Sequence, residues 1–108
     1  MTDTTTIDAT RDARRKRLRA FRESIPISQE KLGKLAGISR VRINKIENGA
    51  DKMTRATTIG ALAGAFCLTL DEFESVLAGH VSETAMVSVA KWRMRRKAAA
   101  AAGEGVAK

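Results

Sequence analysis

The chain has 108 residues, of which 44% are hydrophobic, so it can form one domain with a modest core but not two full domains. It holds one cysteine and one histidine, which excludes an internal disulfide and any metal site built from several thiolates or imidazoles. No apolar run approaches the roughly 20 residues needed to cross a bilayer. These features predict a protein of a reducing, cytoplasmic compartment, with no metal, no cofactor and no membrane anchor.

The net charge of +8 is unevenly distributed along the chain. Residues 1–55 hold 14 basic and 7 acidic side chains, residues 56–90 hold four acidic and no basic ones, and residues 91–108 hold six basic and one acidic. Two basic blocks around an acidic middle indicate one surface suited to a polyanion and another kept apart from it. Nucleic acid is the leading candidate, and an anionic membrane is the alternative.

Apolar residues recur at spacings of three and four, and no β-rich alternation is present, so the sequence predicts an all-α fold. Residues 1–9 are rich in threonine and are expected to form a disordered arm. A first helix is predicted from about Thr10 to Glu23, with Leu18 and Phe21 facing inward. Pro26 should end this helix, because the residue before a proline is disfavoured in the α conformation.

Two short helices are predicted next. Ser28 is the expected N-cap of the second helix, which ends at Gly37, and Ser39 caps a third helix that ends at Asn48–Gly49. The junction at residues 37–39 is a turn of the length found in DNA-binding helix-turn-helix units. Gly33, in the second helix, is small enough to let the two helix backbones approach closely.

Three further helices complete the predicted fold. Thr54 is expected to cap the fourth, and Thr69-Leu-Asp-Glu72 forms a capping box for the fifth, which stops at Gly79. Ser82 is expected to cap a sixth helix that the alanine run extends. The predicted organisation is a DNA-binding domain over residues 10–79, a C-terminal helix over 80–102 and a flexible tail over 103–108.

The third helix has two different faces when its residues are placed at about 100° intervals. Ser39, Ile43, Ile46 and Glu47 cluster on the side predicted to pack. The opposite side and its edges carry a set suited to a major groove: Arg40, Val41, Arg42, Asn44, Lys45 and Asn48. Arginine or lysine can bind guanine, asparagine can bind adenine, and an aliphatic group can contact the thymine methyl. The alternative is that the cations are ordinary solvated charges.

The stretch Leu18–Phe73 resembles the lambda-repressor-like (Xre/Cro-type) helix-turn-helix family of bacterial and phage regulators. The resemblance is carried by the motifs Leu18-Arg-x-x-Arg22, Ile27-Ser-Gln-Glu-x-Leu32, Ala36-Gly-Ile-Ser39, Ile46-Glu-Asn-Gly49 and Leu68-Thr-Leu-Asp-Glu-Phe73. It implies a five-helix DNA-binding domain, here with an additional C-terminal helix. Cys67 stands where the family often has a glycine that ends the fourth helix.

The resemblance also implies roles for individual residues. The positions that read bases in the family correspond to Arg40, Val41, Asn44 and Lys45. The positions that meet phosphates correspond to Gln29, Arg42, Asn48, Lys52 and Arg55. Arg22 and Glu47 correspond to a structural ion pair that ties the first helix to the end of the third.

One helix-turn-helix unit reads only a few base pairs, so the protein is expected to bind a palindromic operator as a homodimer. Two copies can approach without opposing basic groups through residues 56–90, which contain no lysine or arginine. The predicted dimer interface comprises Leu70, Phe73, Val76, Leu77, Met86, Val89 and Trp92. The alternative is that these side chains close the core of the monomer.

The leading function is sequence-specific binding of double-stranded DNA by a transcriptional regulator, a repressor at the nucleoid. The first alternative is an antitoxin that uses the same motif for DNA and its C-terminal segment for a toxin, which makes that helix a candidate site for a protein partner. The second is an adapter that no longer binds DNA, against which Arg40, Arg42 and Lys45 argue. The basic end of the sixth helix could contact DNA, lie on anionic lipid or remain solvated. No constellation of residues supports an enzyme.

Overall fold

A computed structural model describes residues 4–51 and 55–101, with side chains from residue 11 onward. The described residues form six α-helices and no strand. The helices are α1 (Thr4–Ser24), α2 (Gln29–Ala36), α3 (Arg40–Glu47), α4 (Ala56–Ala65), α5 (Leu70–Ala78) and α6 (Glu83–Ala101). The predicted all-α architecture of five helices and an additional C-terminal helix is confirmed.

Side-chain hydrogen bonds fix the starts of four of the helices, among them α6, where the predicted cap Ser82 accepts from the amide three residues further on at 3.2 Å. The hydroxyl groups of Ser28 and Ser39 each accept a hydrogen bond from the amide three residues further on, at 3.0 and 3.1 Å. The Thr69 hydroxyl accepts from the amide of Glu72 at 3.1 Å, and the Thr69 amide donates to the Glu72 carboxylate at 2.8 Å. These bonds satisfy amides that a helix leaves unpaired, so α2, α3 and α5 begin where the sequence predicts.

The ends of α2, α4 and α5 use the left-handed backbone conformation. Gly37 and Gly79 follow α2 and α5 with φ angles of 72° and 76°, which glycine adopts without a steric penalty. Cys67 follows the C-cap of α4 with a φ of 58°. This cysteine therefore adopts the conformation for which the resemblance implies a glycine.

Three phenylalanines form the centre of the core. The rings of Phe21 and Phe66 meet edge to face with centroids 4.9 Å apart, and Phe66 lies 6.0 Å from Phe73. Around them pack fully buried aliphatic side chains from all six described helices: Leu18, Leu32, Ile43, Ile46, Leu62, Leu77 and Ala90. Because α2 and α3 both contribute to this core, their orientation is fixed by the rest of the domain.

α6 packs against its own chain along one face. Val87 and Ala90 are buried, and the Arg93 side chain donates to the carbonyl of Cys67 at 3.1 Å. The same guanidinium forms an ion pair with Glu72 at the start of α5. α6 is therefore joined to the helix-turn-helix domain in one folded unit, while Trp92 on another face stays exposed.

Two helix starts differ from the predicted ones, and the predicted end of α6 at residue 102 falls just beyond the described residues. α1 begins at Thr4, inside the segment expected to be a disordered arm, because extending an existing helix costs little per residue even through threonine. The N-cap of α4 is Arg55, which makes no side-chain capping bond, and the predicted cap Thr54 lies outside the described residues. α6 ends at Ala101, and the predicted tail over 103–108 also lies outside them. None of the helices described is long and apolar enough to span a membrane.

Candidate nucleic-acid interface

α2 and α3 meet at a tight turn over residues 37–39, and Gly33 makes their close approach possible. A Cβ atom on Gly33 would collide with the carbonyl oxygen of Ile38 and lie 3.4 Å from the amide nitrogen of Arg40. The Ile38 amide in turn donates to the Gly33 carbonyl at 2.9 Å. Backbone atoms occupy the space that a side chain would need, which confirms the predicted need for a small residue here.

α3 presents one buried and one exposed face. Ile43, Ile46 and Glu47 are buried, as predicted. The opposite face is exposed and carries Arg40, Val41, Asn44 and Lys45, with Asn48 at the helix end. Ser39 was expected on the packing side but is exposed, because it precedes the helix and caps its first turn.

The cations around α3 differ in their partners. Arg40 and Lys45 are exposed, and no carboxylate in the described part of the chain holds them. Arg42 instead donates from Nε to Asp51 at 3.1 Å and from Nη2 to the Thr58 hydroxyl at 2.9 Å, which ties α3 to α4. A phosphate contact by Arg42 would therefore compete with Asp51.

Of the two remaining predicted phosphate contacts, one lies at the start of α4. Arg55 is exposed at the N-cap of that helix. Lys52 lies outside the described residues. The position of Arg55 beside the amides of a helix N-terminus is favourable for an anion.

A row of side-chain amides connects the buried Glu47 to the exposed face of α3. Gln29 Nε2 donates to Glu47 Oε1 at 3.0 Å, and Asn44 Nδ2 donates to Gln29 Oε1 at 3.3 Å. Asn48 Nδ2 donates to Asn44 Oδ1 at 2.9 Å. Two predicted phosphate contacts, Gln29 and Asn48, are thus hydrogen-bonded to a predicted base reader, Asn44.

The expected ion pair between Arg22 and Glu47 is present and buried. Arg22 Nε lies 2.6 Å from Glu47 Oε2, and Arg22 Nη2 lies 3.0 Å from Glu47 Oε1. The remaining nitrogen, Nη1, donates to the carbonyl of Ile27 at 2.8 Å. Hydrogen bonding to Glu47 raises the pKa of Arg22, although burial acts in the opposite direction. This guanidinium joins α1, the loop before α2, and α3.

Sequence reasoning missed two arginines of α1 that cap other helices. Arg15 donates to the carbonyl of the last residue of α3 at 3.0 Å, and Arg17 donates to the carbonyl of Leu77 near the end of α5 at 2.9 Å. Their side chains lie against Gly49 and Gly79, where a Cβ atom would come within 3.0 and 2.8 Å of them. The available signal was the combination of basic α1 residues with helix-ending glycines, because cations favour helix C-termini.

The structure corrects three of the residues predicted for a dimer interface. Phe73, Val76 and Leu77 are buried within one chain, so they cannot also cover a second copy. For these three, the alternative that they close the monomer's own core is the right one. Of the other four predicted interface residues, Met86 and Val89 are half-buried, and Leu70 and Trp92 are exposed.

Comparison with models of protein families matches residues 18–73 to the family described as Helix-turn-helix. The match covers slightly more than half of the chain, from within α1 into α5, and it includes the whole of α2, α3 and α4. A search of curated proteins and a search of solved structures found no significant match.

Proposed function

Because the chain belongs to the lambda-repressor-like (Xre/Cro-type) helix-turn-helix family, a family of DNA-binding regulators, we propose that it binds a specific double-stranded DNA sequence and represses transcription there. The observation that carries the proposal is the exposed face of α3, opposite its buried face. Arg40 and Lys45 on this face are free of carboxylate partners among the described residues, so they can neutralise DNA charge without first breaking an ion pair.

Each predicted base reader matches a feature of the base edges in the major groove. Arg40 and Lys45 can donate to O6 and N7 of guanine, and Asn44 can form two hydrogen bonds with adenine. Val41, which is 57% exposed although it is apolar, can contact the methyl group of thymine. We therefore expect a short half-site that combines these three bases.

Contacts to phosphates would position α3 in the groove without reading sequence. We assign this role to Arg55 at the start of α4, and to Gln29 and Asn48, which flank the exposed face of α3. Arg42 would join them by exchanging Asp51 for a phosphate. Lys52 has the same proposed role, although it lies outside the described residues.

We further infer that two copies bind one palindromic operator. The support is the exposure of large apolar side chains on α5 and α6, where Leu70 is 46% and Trp92 is 54% exposed. Val89 lines a shallow groove together with Trp92 and Arg93, and the part of the chain over residues 56–90 contributes no basic side chain that would repel a second copy. The two half-sites would then lie about one helical turn, roughly 34 Å, apart.

The proposal is tested by selecting bound duplexes from a random pool and then titrating the enriched site with salt. If about three phosphates are neutralised per subunit, a dimer should give a slope of log affinity against log salt of roughly −5. The enriched site should show two-fold symmetry. A slope near zero, or the absence of any enriched sequence, would contradict specific DNA binding.

Three variants separate base reading from phosphate contact. Lys45→Ala should weaken binding to the selected site by about 1–3 kcal/mol and lower the preference over a scrambled duplex. Arg55→Ala should weaken binding to both duplexes equally. Lys34→Ala is the matched control, because this α2 lysine is exposed and is paired with Glu30 at 3.8 Å. The assignment fails if Arg55→Ala changes sequence preference more than Lys45→Ala does.

Repression is tested with a reporter whose promoter contains the selected site. Expression of the protein should lower reporter output, because the bound dimer excludes the polymerase. Lys45→Ala should lose this effect, whereas Lys34→Ala should retain it. An increase in output with the wild-type protein would indicate an activator instead.

A further inference from the structure

The carboxylate of Glu47 can only accept hydrogen bonds. This determines the orientation of each side-chain amide in the hydrogen-bonded row that starts from it. Because Gln29 meets Glu47 at 3.0 Å, the end of its amide that does so must be the donor, Nε2. Its Oε1 then faces Asn44, which must donate with Nδ2, at 3.3 Å. Asn44 Oδ1 is left to accept from Asn48 Nδ2, at 2.9 Å.

An asparagine alone on a helix surface can rotate its amide and exchange the positions of nitrogen and oxygen. Asn44 is not free to do this. A reversed Asn44 amide would place its Oδ1 against Gln29 Oε1, two acceptors with no hydrogen between them. Reversing Gln29 as well would place its oxygen against the carboxylate of Glu47. The direction of the Asn44 amide is therefore anchored in the buried ion pair of Arg22 with Glu47.

Asn44 keeps one donor and one acceptor for a partner outside the protein. Its Nδ2 has a second hydrogen beyond the one given to Gln29, and its Oδ1 has a second lone pair beyond the one used by Asn48. Adenine is the base that an asparagine binds through two hydrogen bonds, by donating to N7 and accepting from the N6 amino group.

We propose that Glu47 is a positioning residue for specificity: through Gln29 it holds the Asn44 amide in one direction, so that α3 distinguishes A·T from T·A. This inference rests on the proposed function. With the donor and acceptor of Asn44 fixed in place, adenine fits on one strand. On the other strand the order of N7 and N6 across the groove is reversed, and the hydrogen bonds are lost.

The variant Gln29→Met breaks the relay at its first step. Methionine has a similar length but lacks the amide that donates to Glu47 and accepts from Asn44. Glu47 keeps both hydrogen bonds from Arg22. Glu47 itself is left unchanged, because its substitution would also leave Arg22 buried and unpaired. Thermal unfolding of Gln29→Met should match that of the wild-type protein within a few degrees.

The readout is the affinity for four duplexes that carry each base pair at the position where Asn44→Ala removes the preference. The wild-type protein should prefer A·T over T·A by on the order of tenfold, and Gln29→Met should lower this ratio to below about threefold. If Gln29 only contacts a phosphate, its loss weakens binding to all four duplexes by the same factor. An unchanged ratio of A·T to T·A would overturn the proposal.

A double-mutant cycle tests whether Gln29 acts through Asn44. Asn44→Ala should reduce affinity for the A·T duplex less in the Gln29→Met background than in the wild-type protein. Lys45→Ala is the matched control, because Lys45 makes no hydrogen bond with Gln29, and its effect should be the same in both backgrounds. Additive effects of Gln29→Met and Asn44→Ala would contradict the relay. Failure of the wild-type protein to prefer any sequence would instead contradict the proposed function.

Discussion

Arg93 in α6 and Glu72 in α5 form a bidentate ion pair, with oxygen–nitrogen distances of 2.7 and 3.1 Å. The same carboxylate accepts a hydrogen bond from the amide of Thr69 at 2.8 Å, as part of the capping box. One side chain therefore both caps α5 and holds α6. The hydrogen bond from Arg93, followed by that from the Thr69 backbone, lowers the pKa of Glu72 from 4.5 to about 2.

Acid should weaken this junction. Because the pKa of Glu72 is lower in the folded chain than in the unfolded one, its contribution to stability is complete above about pH 4.5 and is lost as the pH falls towards 2. We expect the free energy of unfolding to fall across this window more steeply in the wild-type protein than in Arg93→Met, which lacks the main cause of the shift. Urea denaturation at neutral pH and at several acid pH values measures both slopes. The same slope in both proteins would contradict this role of the pair.

The glycines that end α2 and α5 have similar backbones but different surroundings. A Cβ atom on Gly37 would meet nothing within 4 Å, whereas one on Gly79 would lie 2.8 Å from the Arg17 guanidinium. Gly37→Ala should cost about 1–2 kcal/mol, the strain of a left-handed alanine. Gly79→Ala should cost about 1 kcal/mol more, because Arg17 must release the carbonyl of Leu77.

Urea denaturation of the two glycine variants, alone and combined with Arg17→Ala, checks this explanation. Without the Arg17 side chain, the two substitutions should cost the same. A difference that persists in the Arg17→Ala background would show that the arginine is not its cause.

Helix starts and ends could be predicted from the sequence because they depend on chemistry within a few residues. Ser28, Ser39 and the box from Thr69 to Glu72 all act on amides three residues away. The contacts that the sequence did not reveal join distant residues. Arg17 reaches a carbonyl 60 positions further along the chain, and Arg93 pairs with a carboxylate 21 positions before it.

The exposed face of α3 was predictable for a related reason, since it follows from the geometry of a single helix. The bonds from Gln29 to Glu47 and Asn44 were not, because they depend on how α2 crosses α3. The misplaced dimer residues have a third cause. Apolar periodicity predicts that Phe73 is buried, but it does not show whether the residue is buried in the core of its own chain or against a second copy.

Removing Arg22 should destabilise the protein far more than removing an exposed arginine. Arg22→Met should cost about 3–5 kcal/mol, because Glu47 would remain as a buried charge without its partner. The double variant Arg22→Met/Glu47→Leu should recover part of this loss, since apolar side chains can replace a buried ion pair. Arg19→Met is the control, because the ion pair of Arg19 with Glu23 is exposed. That change should stay within about 0.5 kcal/mol, and equal losses for Arg22→Met and Arg19→Met in urea denaturation would contradict a buried structural pair.

Trp92 is the most exposed large hydrophobic side chain of α6, and its ring lies under the Arg96 guanidinium at 5.0 Å. If two copies meet through this surface, Trp92→Glu should place two carboxylates in a desolvated contact and prevent association. The fold should be retained, because Trp92 is about half exposed and is not part of the buried core.

Sedimentation at tens of micromolar should therefore show a dimer for the wild-type protein and a folded monomer for Trp92→Glu, with cooperative thermal unfolding as the check on its fold. Leu35→Glu is the matched control, because Leu35 is also an exposed apolar residue, 42% accessible, but lies on α2. This variant should remain dimeric.

On a palindromic duplex, Trp92→Glu should bind each half-site independently. Its slope of log affinity against log salt should be about half that of the wild-type dimer, since each monomer neutralises only its own phosphates. A wild-type protein that stays monomeric both free and on DNA would rule out the dimer, and a dimer disrupted by Leu35→Glu but not by Trp92→Glu would move the interface to α2.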